Sequence, residues 1–361
     1  MKTILILLTS SLKRYPPILS LLDSIRGKYK ITIIAGEKSS ETDAKYLSDE
    51  HIQFIYLHST VSQNNLFTKA YNHIKQIILF RHAVKKYLRK NNPDLIWVST
   101  AETALCLGKI IRGRPFILNM FELYDRFPKR LSRLKNTAHE AIKIVTPEIN
   151  RAKILRVWWK LEHTPVVIPN KPCNHPQKKN LSLEGIPGEV ISSIKKKIIL
   201  YQGHITPDRK LDALCKAVAS MRDYCLVLMG GETSYLKQLK TKYPFIIHQG
   251  FVPPPYHLNI TSHAFIGIVT YTYYSLNTIF CAPNKIWEYS GFGIPMLGND
   301  IPGLSDTIGK FEAGICTDTD DVEKIKSAIF DIEKAYPYYS QQAQKMYNSV
   351  DIKQMFLNLM P

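Results

Sequence analysis

Two side chains of opposite charge, Lys285 and Glu288, lie three positions apart in the stretch SLNTIFCAPNKIWEYSGFGIPMLGNDIPG, residues 275–303. Residues three apart on a helix are neighbours on one face, so this pair brings a cation and a carboxylate together. Asn284 directly precedes the pair and is a residue type that caps helix N-termini. The spacing therefore predicts a short helix over residues 285–292, capped by Asn284 and followed by a buried strand.

The start of that helix has the chemistry to bind phosphate. The first N–H groups of a helix lack partners within it and carry a partial positive charge, which attracts anions. Lys285 adds a full charge, and Glu288 can accept hydrogen bonds from the hydroxyls of a sugar. Three polar residues of the preceding loop, Ser275, Asn277 and Thr278, are candidate contacts to the same ligand. The segment thus predicts a site for a diphosphate joined to a hydroxylated sugar.

The composition is that of a globular protein with room for two domains. The chain has 361 residues, 45% of them hydrophobic and 22% charged, and single domains usually contain about 50 to 250 residues. Its six cysteines are scattered without a C-x-x-C pair, which predicts reduced thiols in a cytosolic protein and no metal site. The apolar start MKTILILL is short and lacks a cleavage site, so we expect a first buried strand there.

The formal net charge of +18 is concentrated in the first half of the chain. Residues 1–173 contain 29 Lys and Arg against 13 Asp and Glu, whereas the remaining residues contain 19 against 17. A positive field limited to one domain predicts an anionic partner for it, which can be a membrane surface, a lipid diphosphate or a nucleic acid. The alternative is a basic surface that only keeps the protein soluble.

The most basic predicted helix covers residues 65–90, where seven Lys and Arg are interleaved with Ile, Val and Leu. A basic amphipathic helix can lie on an anionic membrane. Its apolar stripe can equally cover the sheet of its own domain, and the sequence leaves both interpretations open.

Short runs rich in Ile, Val and Leu alternate with helical patterns along the chain. Runs without polar alternation are typical of strands covered by helices on both faces, which indicates doubly wound parallel α/β sheets. The candidate strands are residues 3–8, 31–35, 53–57, 95–99, 116–119, 142–146, 166–168, 198–202, 225–229, 245–248, 264–269, 295–297 and 313–316. The pattern predicts two domains, 1–173 and 198–340, joined by a linker at 174–197 and followed by a last helical stretch, 341–361.

The segment PNKIWEYSGFGIPML resembles the donor-binding segment of retaining GT-B glycosyltransferases, particularly glycosyltransferase family 4. Many bacterial polysaccharide enzymes of that family carry N-K-x-x-E-Y there, before a Gly-x-Pro helix end. The resemblance implies that Glu288 hydrogen-bonds the ribose of the nucleotide. The family often has a second Glu eight positions earlier, where this chain has Phe280, so its pattern for holding the donor sugar is incomplete here.

A second stretch, GHITPDRKLDAL, resembles the family pattern G-R-L-x-x-E-K-G-x-D-x-L. His204 follows Gly203 where the family has Arg, and Arg209 stands at the position of the family's Lys. Arg209 and Lys210, in a loop between a strand and a helix N-terminus, have the charge to grip a diphosphate. We therefore expect all four residues, Gly203, His204, Arg209 and Lys210, at the donor.

Two further stretches resemble features of that family. The turn of Gly250, Phe251 and Val252 is similar to the G-x-V turn beside the nucleotide base. In FILNMFELYD the family places a His that faces the donor sugar, and this chain has Phe121 there, followed by Glu122. Glu122 is the candidate catalytic residue, since it can polarise an acceptor hydroxyl. A carboxylate that merely begins a helix is the alternative.

The resemblance implies two Rossmann-like domains that face a cleft, with the C-terminal helix crossing back to the first domain. It implies a glycosyltransferase, hexosyl or N-acetylhexosaminyl, that moves a sugar from a nucleotide-diphosphate sugar to a lipid-linked or polysaccharide acceptor. We expect no cofactor and no metal, because Arg209, Lys285 and two helix N-termini supply the charge that a leaving diphosphate needs. The basic first domain predicts a peripheral protein at the inner face of the cytoplasmic membrane, acting in cell-surface glycan or lipopolysaccharide synthesis.

Two other functions fit parts of this pattern. A sugar-nucleotide epimerase shares the fold, although it needs no basic first domain. A non-catalytic nucleic-acid-binding protein would use the positive charge. The sequence has no stacking module or basic–aromatic repeat, so we expect no nucleic acid partner.

Overall fold

The computed structural model of the protein describes residues 1–38, 40–57, 66–186 and 188–361. The chain divides into two compact units, and each contains one parallel sheet. The first unit comprises Met1–Cys173 and Ile352–Pro361, and the second comprises Asn174–Asp351. Asn65, the first residue of the predicted basic helix, and Pro187, in the predicted linker, lie outside the described residues.

The strands and helices follow the apolar runs of the sequence. The described strands are β1 (Thr3–Leu8), β2 (Lys30–Ala35), β3 (Ile52–Tyr56), β4 (Leu95–Val98), β5 (Phe116–Asn119), β6 (Lys143–Thr146), β7 (Val166–Val167), β8 (Lys197–Gln202), β9 (Tyr224–Met229), β10 (Ile247–Gly250), β11 (Ile266–Val269), β12 (Met296–Asn299) and β13 (Gly314–Thr317). The described helices are α1 (Pro16–Ile25), α2 (Ser40–Leu47), α3 (Leu66–Lys90), α4 (Ala101–Leu107), α5 (Pro128–Glu140), α6 (Ile149–Trp159), α7 (Glu189–Ser192), α8 (Asp212–Ala219), α9 (Ser234–Lys242), α10 (His257–Thr261), α11 (Leu276–Ile279), α12 (Asn284–Gly291), α13 (Pro302–Leu304), α14 (Val322–Lys334), α15 (Tyr336–Asn348) and α16 (Ile352–Leu357). Each of these strands overlaps a predicted run.

The first unit is built on a seven-stranded parallel sheet in the order β3-β2-β1-β4-β5-β6-β7. β1 pairs with β2 and β4, with Ile4 opposite Ile31 on one side and Leu95 on the other. Side chains of α3 to α6 pack on one face of this sheet, and those of α1, α2 and α16 pack on the other. Because both faces are covered, the strands are apolar throughout. The predicted doubly wound architecture is confirmed.

The second unit repeats this plan with six parallel strands in the order β10-β9-β8-β11-β12-β13. One face carries α10, α12 and α15, and the other carries α8, α9 and α14. The order reverses between β8 and β11, and ligands in open α/β sheets bind beyond the carboxyl ends of strands at such a point. Gln202 ends β8, so the loop that follows it lies at this edge.

The last helix returns to the first unit, as the predicted fold requires. Ile352 and Phe356 of α16 are buried in the core that also contains α1. The ring of Phe356 contacts that of Trp97 edge-on at 6.0 Å between centroids. The linker over residues 174–197 stays a prediction.

The length and apolar character of a helix decide whether it can cross a membrane. Within the described part of the chain, no helix combines the length and the apolar character needed to cross a bilayer.

Candidate functional site

The central helix of the site, α12, starts one residue earlier than predicted. Pro283 has an extended backbone, with φ −74° and ψ 143°, and is itself the N-cap residue, without a side-chain capping bond. The prediction of Asn284 as the cap is therefore wrong, because its backbone is already helical. At the other end, Gly293 adopts φ 63°, and its N–H donates to the Ser290 carbonyl at 2.9 Å. This left-handed residue ends the helix.

The polar stretch before α12 is not a loop but the one-turn helix α11. Ser275 is its N-cap residue: its hydroxyl accepts from the Thr278 N–H at 3.2 Å, and its own N–H donates to the Thr278 hydroxyl at 3.2 Å. Serine and threonine at this spacing satisfy each other's backbone groups, which is why a turn forms here. The roles of Ser275, Asn277 and Thr278 at a ligand stay predictions.

Lys285 projects from the first turn of α12 into a buried aromatic pocket. Only 7% of the residue is exposed. Its ammonium lies 4.0 Å from the centre of the Tyr201 ring and 6.0 Å from that of Tyr271. A Cβ on Gly203 would lie 3.6 Å from the ammonium, so the cation lies next to the turn that follows β8. Burial, and then the nearby charge of Arg209, lower the pKa of Lys285 to about 7.

Arg209 brings a second cation to the same place. Its guanidinium carbon lies 4.3 Å from the centre of the Tyr271 ring, so Arg209 and Lys285 share one aromatic side chain. Arg209 also pairs with Asp208 at 3.1 Å. Two cations held together by packing repel each other, and a bound dianion would relieve that repulsion. The arrangement can therefore bind a diphosphate.

The other residues of the predicted GHITPDRK motif are placed differently. Lys210 has a left-handed backbone, φ 49°, and its partly exposed ammonium pairs with Asp320. The His204 side chain is exposed, while its backbone carbonyl accepts from the Tyr201 hydroxyl at 2.7 Å. The structure thus groups Gly203, Arg209 and Lys285. Lys210 pairs with Asp320, and its role at the donor stays a prediction.

Glu288 is held in a buried hydrogen-bond network one turn further along α12. Only 6% of the residue is exposed. One carboxylate oxygen lies 3.0 Å from His257 Nε2, and the other accepts from the Gln202 side chain. Thr261 in turn donates to the Gln202 side-chain oxygen at 2.7 Å. The carboxylate is therefore fixed by β8 and α10 together.

The charge state of Glu288 follows from these contacts. Burial by itself raises the pKa of the carboxyl, but the charge and the hydrogen bond of His257, with smaller effects of His175 and Gln202, hold that pKa below its usual value. Glu288 is thus an ionised, oriented acceptor for hydroxyl groups.

Three members of this site were missed by the sequence analysis: Tyr201, Gln202 and His257. Tyr201 and Gln202 stand next to the Gly203 turn, and this proximity was a usable signal. His257 gave none, because it lies on a separate short helix and reaches Glu288 only through tertiary packing.

Three predicted positions remain: Phe251, Val252 and Glu122. Phe251 is largely exposed, whereas the Val252 side chain is buried in the core of the second unit, so only its backbone is left for a ligand. Glu122 belongs to the first unit, is about half exposed, and lies 3.6 Å from the Arg151 guanidinium. Its catalytic role stays a prediction.

Among the described residues, no group of three or more His, Cys, Asp or Glu side chains is arranged to hold a metal ion.

Comparison with known proteins places this geometry in context. Residues 196–334 match the family model described as Glycosyl transferases group 1. No curated protein sequence matched the chain. Sucrose-phosphate synthase from Thermosynechococcus elongatus superposes with a TM-score of 0.74 at 15% identity, covering 99% of this chain and 97% of that chain. This similarity is one of fold.

Two other solved structures show the same fold. Anabaena Alr3699/HepE, in complex with UDP and glucose, has a TM-score of 0.73 at 14% identity, with 98% of this chain and 97% of that chain covered. WaaG, a glycosyltransferase involved in lipopolysaccharide biosynthesis, has a TM-score of 0.66 at 11% identity, with 99% and 98% covered. The chain therefore has the fold of the GT-B glycosyltransferases, and residues 196–334 match the group 1 glycosyl transferase family in sequence.

Proposed function

We propose that the chain is a glycosyltransferase that moves a sugar from a nucleotide-diphosphate donor to an acceptor. One observation carries the proposal: Lys285 and Arg209 share the Tyr271 ring, and the buried Glu288 carboxylate lies one turn along α12 from Lys285. All of these residues fall within the segment that matches the family. A cation pair and a carboxylate suit the diphosphate and the ribose of one nucleotide.

The chemistry of transfer gives the cation pair its role. When the bond between the sugar and the diphosphate breaks, negative charge develops on the leaving diphosphate. Lys285 and Arg209 are fixed by packing before the reaction, so they stabilise that charge without reorganising. We therefore propose that the reaction needs no metal ion, because the two side chains supply the positive charge.

Glu288 binds the ribose hydroxyls in this proposal. Its carboxylate is ionised and is oriented by His257 and Gln202. It can therefore accept a hydrogen bond from a hydroxyl without a further loss of conformational entropy. Retention of stereochemistry at the transferred sugar is the outcome implied by the resemblance to family 4. Glu122 of the first unit is proposed to polarise the acceptor hydroxyl.

For the acceptor we propose a lipid-linked or polysaccharide glycan at the inner face of the cytoplasmic membrane. The support is the charge distribution, since residues 1–173 contain 29 Lys and Arg against 13 Asp and Glu. A basic domain is attracted to anionic lipid headgroups, and salt weakens this attraction.

The test is sugar transfer by the purified chain, with a panel of radiolabelled nucleotide sugars and a bacterial lipid extract as acceptor. Label should move to the lipid fraction without added metal, and a Glu288→Ala variant should transfer far less. Conversion of a nucleotide sugar to an isomer without any acceptor would instead identify an epimerase. Absence of transfer and of conversion with every donor would contradict the proposal.

A further inference from the structure

The two helix layers of the first unit differ in charge. The helices α3 to α6, which pack on one face of the seven-stranded sheet, contain 14 Lys and Arg and two Glu. The helices of the opposite layer, α1, α2 and α16, contain two Lys and three Asp or Glu. A charge needed only for solubility has no reason to favour one side of a sheet.

The longest helix of this layer exposes large apolar side chains among the cations. Tyr71, Ile74 and Ile78 of α3 are 64%, 58% and 61% exposed. Their spacing of three and four residues places them in one row along the helix. The opposite side of α3 buries Phe80 and Val84 against the sheet. Within the part of the first unit that the structure describes, α3 therefore has a second, exposed apolar row beside the one that packs on the sheet.

A second helix of the layer combines cations with an exposed aliphatic group. Val157 of α6 is 74% exposed. It lines a shallow pocket of about 450 Å³ together with Lys153, Arg156, Lys160, Leu161 and Thr164. Three cations and no carboxylate line this pocket, and the Arg156 guanidinium donates to the Thr164 hydroxyl at 3.2 Å. An anionic headgroup fits the rim, and an apolar chain fits the aliphatic floor.

These features together point to one kind of partner. A nucleic acid would pair with the cations but would leave the row of Tyr71, Ile74 and Ile78 in water. A second copy of the same face would bring like charges together. An anionic bilayer can contact both the cations and the apolar row. Its headgroups pair with Lys and Arg, while aliphatic side chains enter the boundary of the acyl chains.

We propose that the outer surface of α3 to α6 is the face by which the chain docks on anionic lipid bilayers. The row of Tyr71, Ile74 and Ile78 enters the interface, and Lys153, Arg156 and Lys160 contact lipid phosphate. The inference rests on the proposed function only for the identity of the acceptor, since lipid binding can be measured without any donor.

The experiment is co-sedimentation of the full chain with vesicles of phosphatidylcholine alone and of phosphatidylcholine with phosphatidylglycerol. The chain should bind only the anionic vesicles, and about 0.5 M salt should weaken binding at least about tenfold. Ile74→Ser with Ile78→Ser, and separately Lys153→Glu with Arg156→Glu, should each weaken binding about tenfold or more.

Matched controls come from the opposite layer. Leu47→Ser on α2, an exposed leucine, and Lys28→Glu with Lys353→Glu should leave vesicle binding within about twofold of the parent, since neither change touches the proposed face. Equal loss in these controls, no loss in the α3 and α6 variants, or no binding to anionic vesicles at all would overturn the proposal. Tighter binding to an oligonucleotide than to anionic vesicles would also overturn it.

A nucleotide-binding measurement on the same variants separates this proposal from the proposed function. All of the substitutions lie in the first unit, whereas Lys285 and Arg209 lie in the second. If vesicle binding fails while nucleotide binding persists, only the docking face is wrong. If vesicles bind as expected and no nucleotide binds, the donor site is wrong and the docking face stands.

Discussion

At the scale of single residues, the chemistry of the site comes from burial of charges that a surface would leave solvated. Lys285 is buried beside a second cation, and its burial together with the charge of Arg209 disfavours its charged form. An anionic ligand reverses that balance, because it pairs with the ammonium. Proton uptake and ligand binding should therefore be coupled.

The first prediction is that the affinity for a nucleoside diphosphate falls as pH rises above about 7. The pKa of Lys285 is lowered to about 7 in the free protein, and a bound dianion raises it. Below that pH the ammonium is already charged, so affinity is fully present there. Between the free and bound pKa values, affinity should decrease by up to about tenfold per pH unit. Calorimetric titration with UDP, GDP and ADP at pH 7, 8 and 9 measures this slope.

The control for this slope is Lys285→Met, which has no titrating group at that position. The variant should bind more weakly and should show a flatter dependence on pH. A parent protein whose affinity is constant from pH 7 to pH 9 would show that Lys285 does not contact the ligand as a charged group.

The second prediction concerns His257, which orients Glu288 without being assigned any contact with the ligand. His257→Ala leaves a buried carboxylate oxygen without its partner, which costs about 1 to 3 kcal/mol. We expect KM for the donor to rise about tenfold, with a smaller change in kcat, since 1.4 kcal/mol corresponds to about tenfold. His257→Gln, which keeps a side-chain N–H donor, should restore much of the loss. An unchanged KM in His257→Ala would refute this positioning role.

The sequence predicted the pair Lys285 and Glu288 because local helical spacing places both on one face. It did not predict their partners Tyr201 and His257, which belong to other elements and reach the pair through the packing of the second unit. Lys210 was expected at the donor because it neighbours Arg209. Its backbone is left-handed and its ammonium pairs with Asp320, so its role at the donor stays a prediction.

At the scale of elements, the strands were predictable and the helix ends were not. Buried parallel strands are continuous apolar runs, so composition alone marks them. The start of a helix depends on which residue is the first to adopt helical backbone angles. Pro283, and not Asn284, occupies the cap, and Ser275 with Thr278 close a turn where a loop was expected.

The third prediction tests the residue that ends α12. Gly293 has φ 63°, and a Cβ there would lie 2.9 Å from both the Gln344 amide nitrogen and the Ser340 hydroxyl. Gly293→Ala should therefore lower the free energy of unfolding by about 1 to 2 kcal/mol, combining backbone strain with crowding. Gly231→Ala is the matched control, because a Cβ there meets nothing within 4 Å. Equal melting temperatures for the two variants would contradict this account of the helix end.

At the scale of the whole molecule, the chain's last helix completes the core of the unit that the chain began. The stability of the first unit therefore depends on residues that are far away in the sequence. The apolar residues Ile352 and Phe356 allowed a terminal helix to be expected, but the family resemblance, and not the residue pattern, indicated the unit on which it packs.

The fourth prediction follows from that dependence. Phe356→Ala removes a buried ring that contacts Trp97, and large-to-small changes of this kind cost about 3 to 5 kcal/mol. The first unit should melt earlier in calorimetry and by tryptophan fluorescence, to which Trp97, Trp158 and Trp159 of that unit contribute, while nucleotide binding in the second unit persists at low temperature. Lys353→Ala, an exposed neighbour on the same helix, should change little. Unaltered melting in Phe356→Ala would mean that α16 does not stabilise the first unit.

The central claim is that Lys285 and Arg209 together form a diphosphate site, and calorimetric titration of the chain with UDP, GDP and ADP tests it most directly. We predict that at least one nucleotide binds, and that Lys285→Met and Arg209→Met each weaken it about tenfold or more, since bonds to charged groups contribute about 1.5 to 3 kcal/mol. Lys210→Met, which alters the adjacent cation that pairs with Asp320, should bind nearly as the parent does. Nucleotide affinities of Lys285→Met and Arg209→Met that equal that of the parent, or the absence of binding by every nucleotide, would contradict the account.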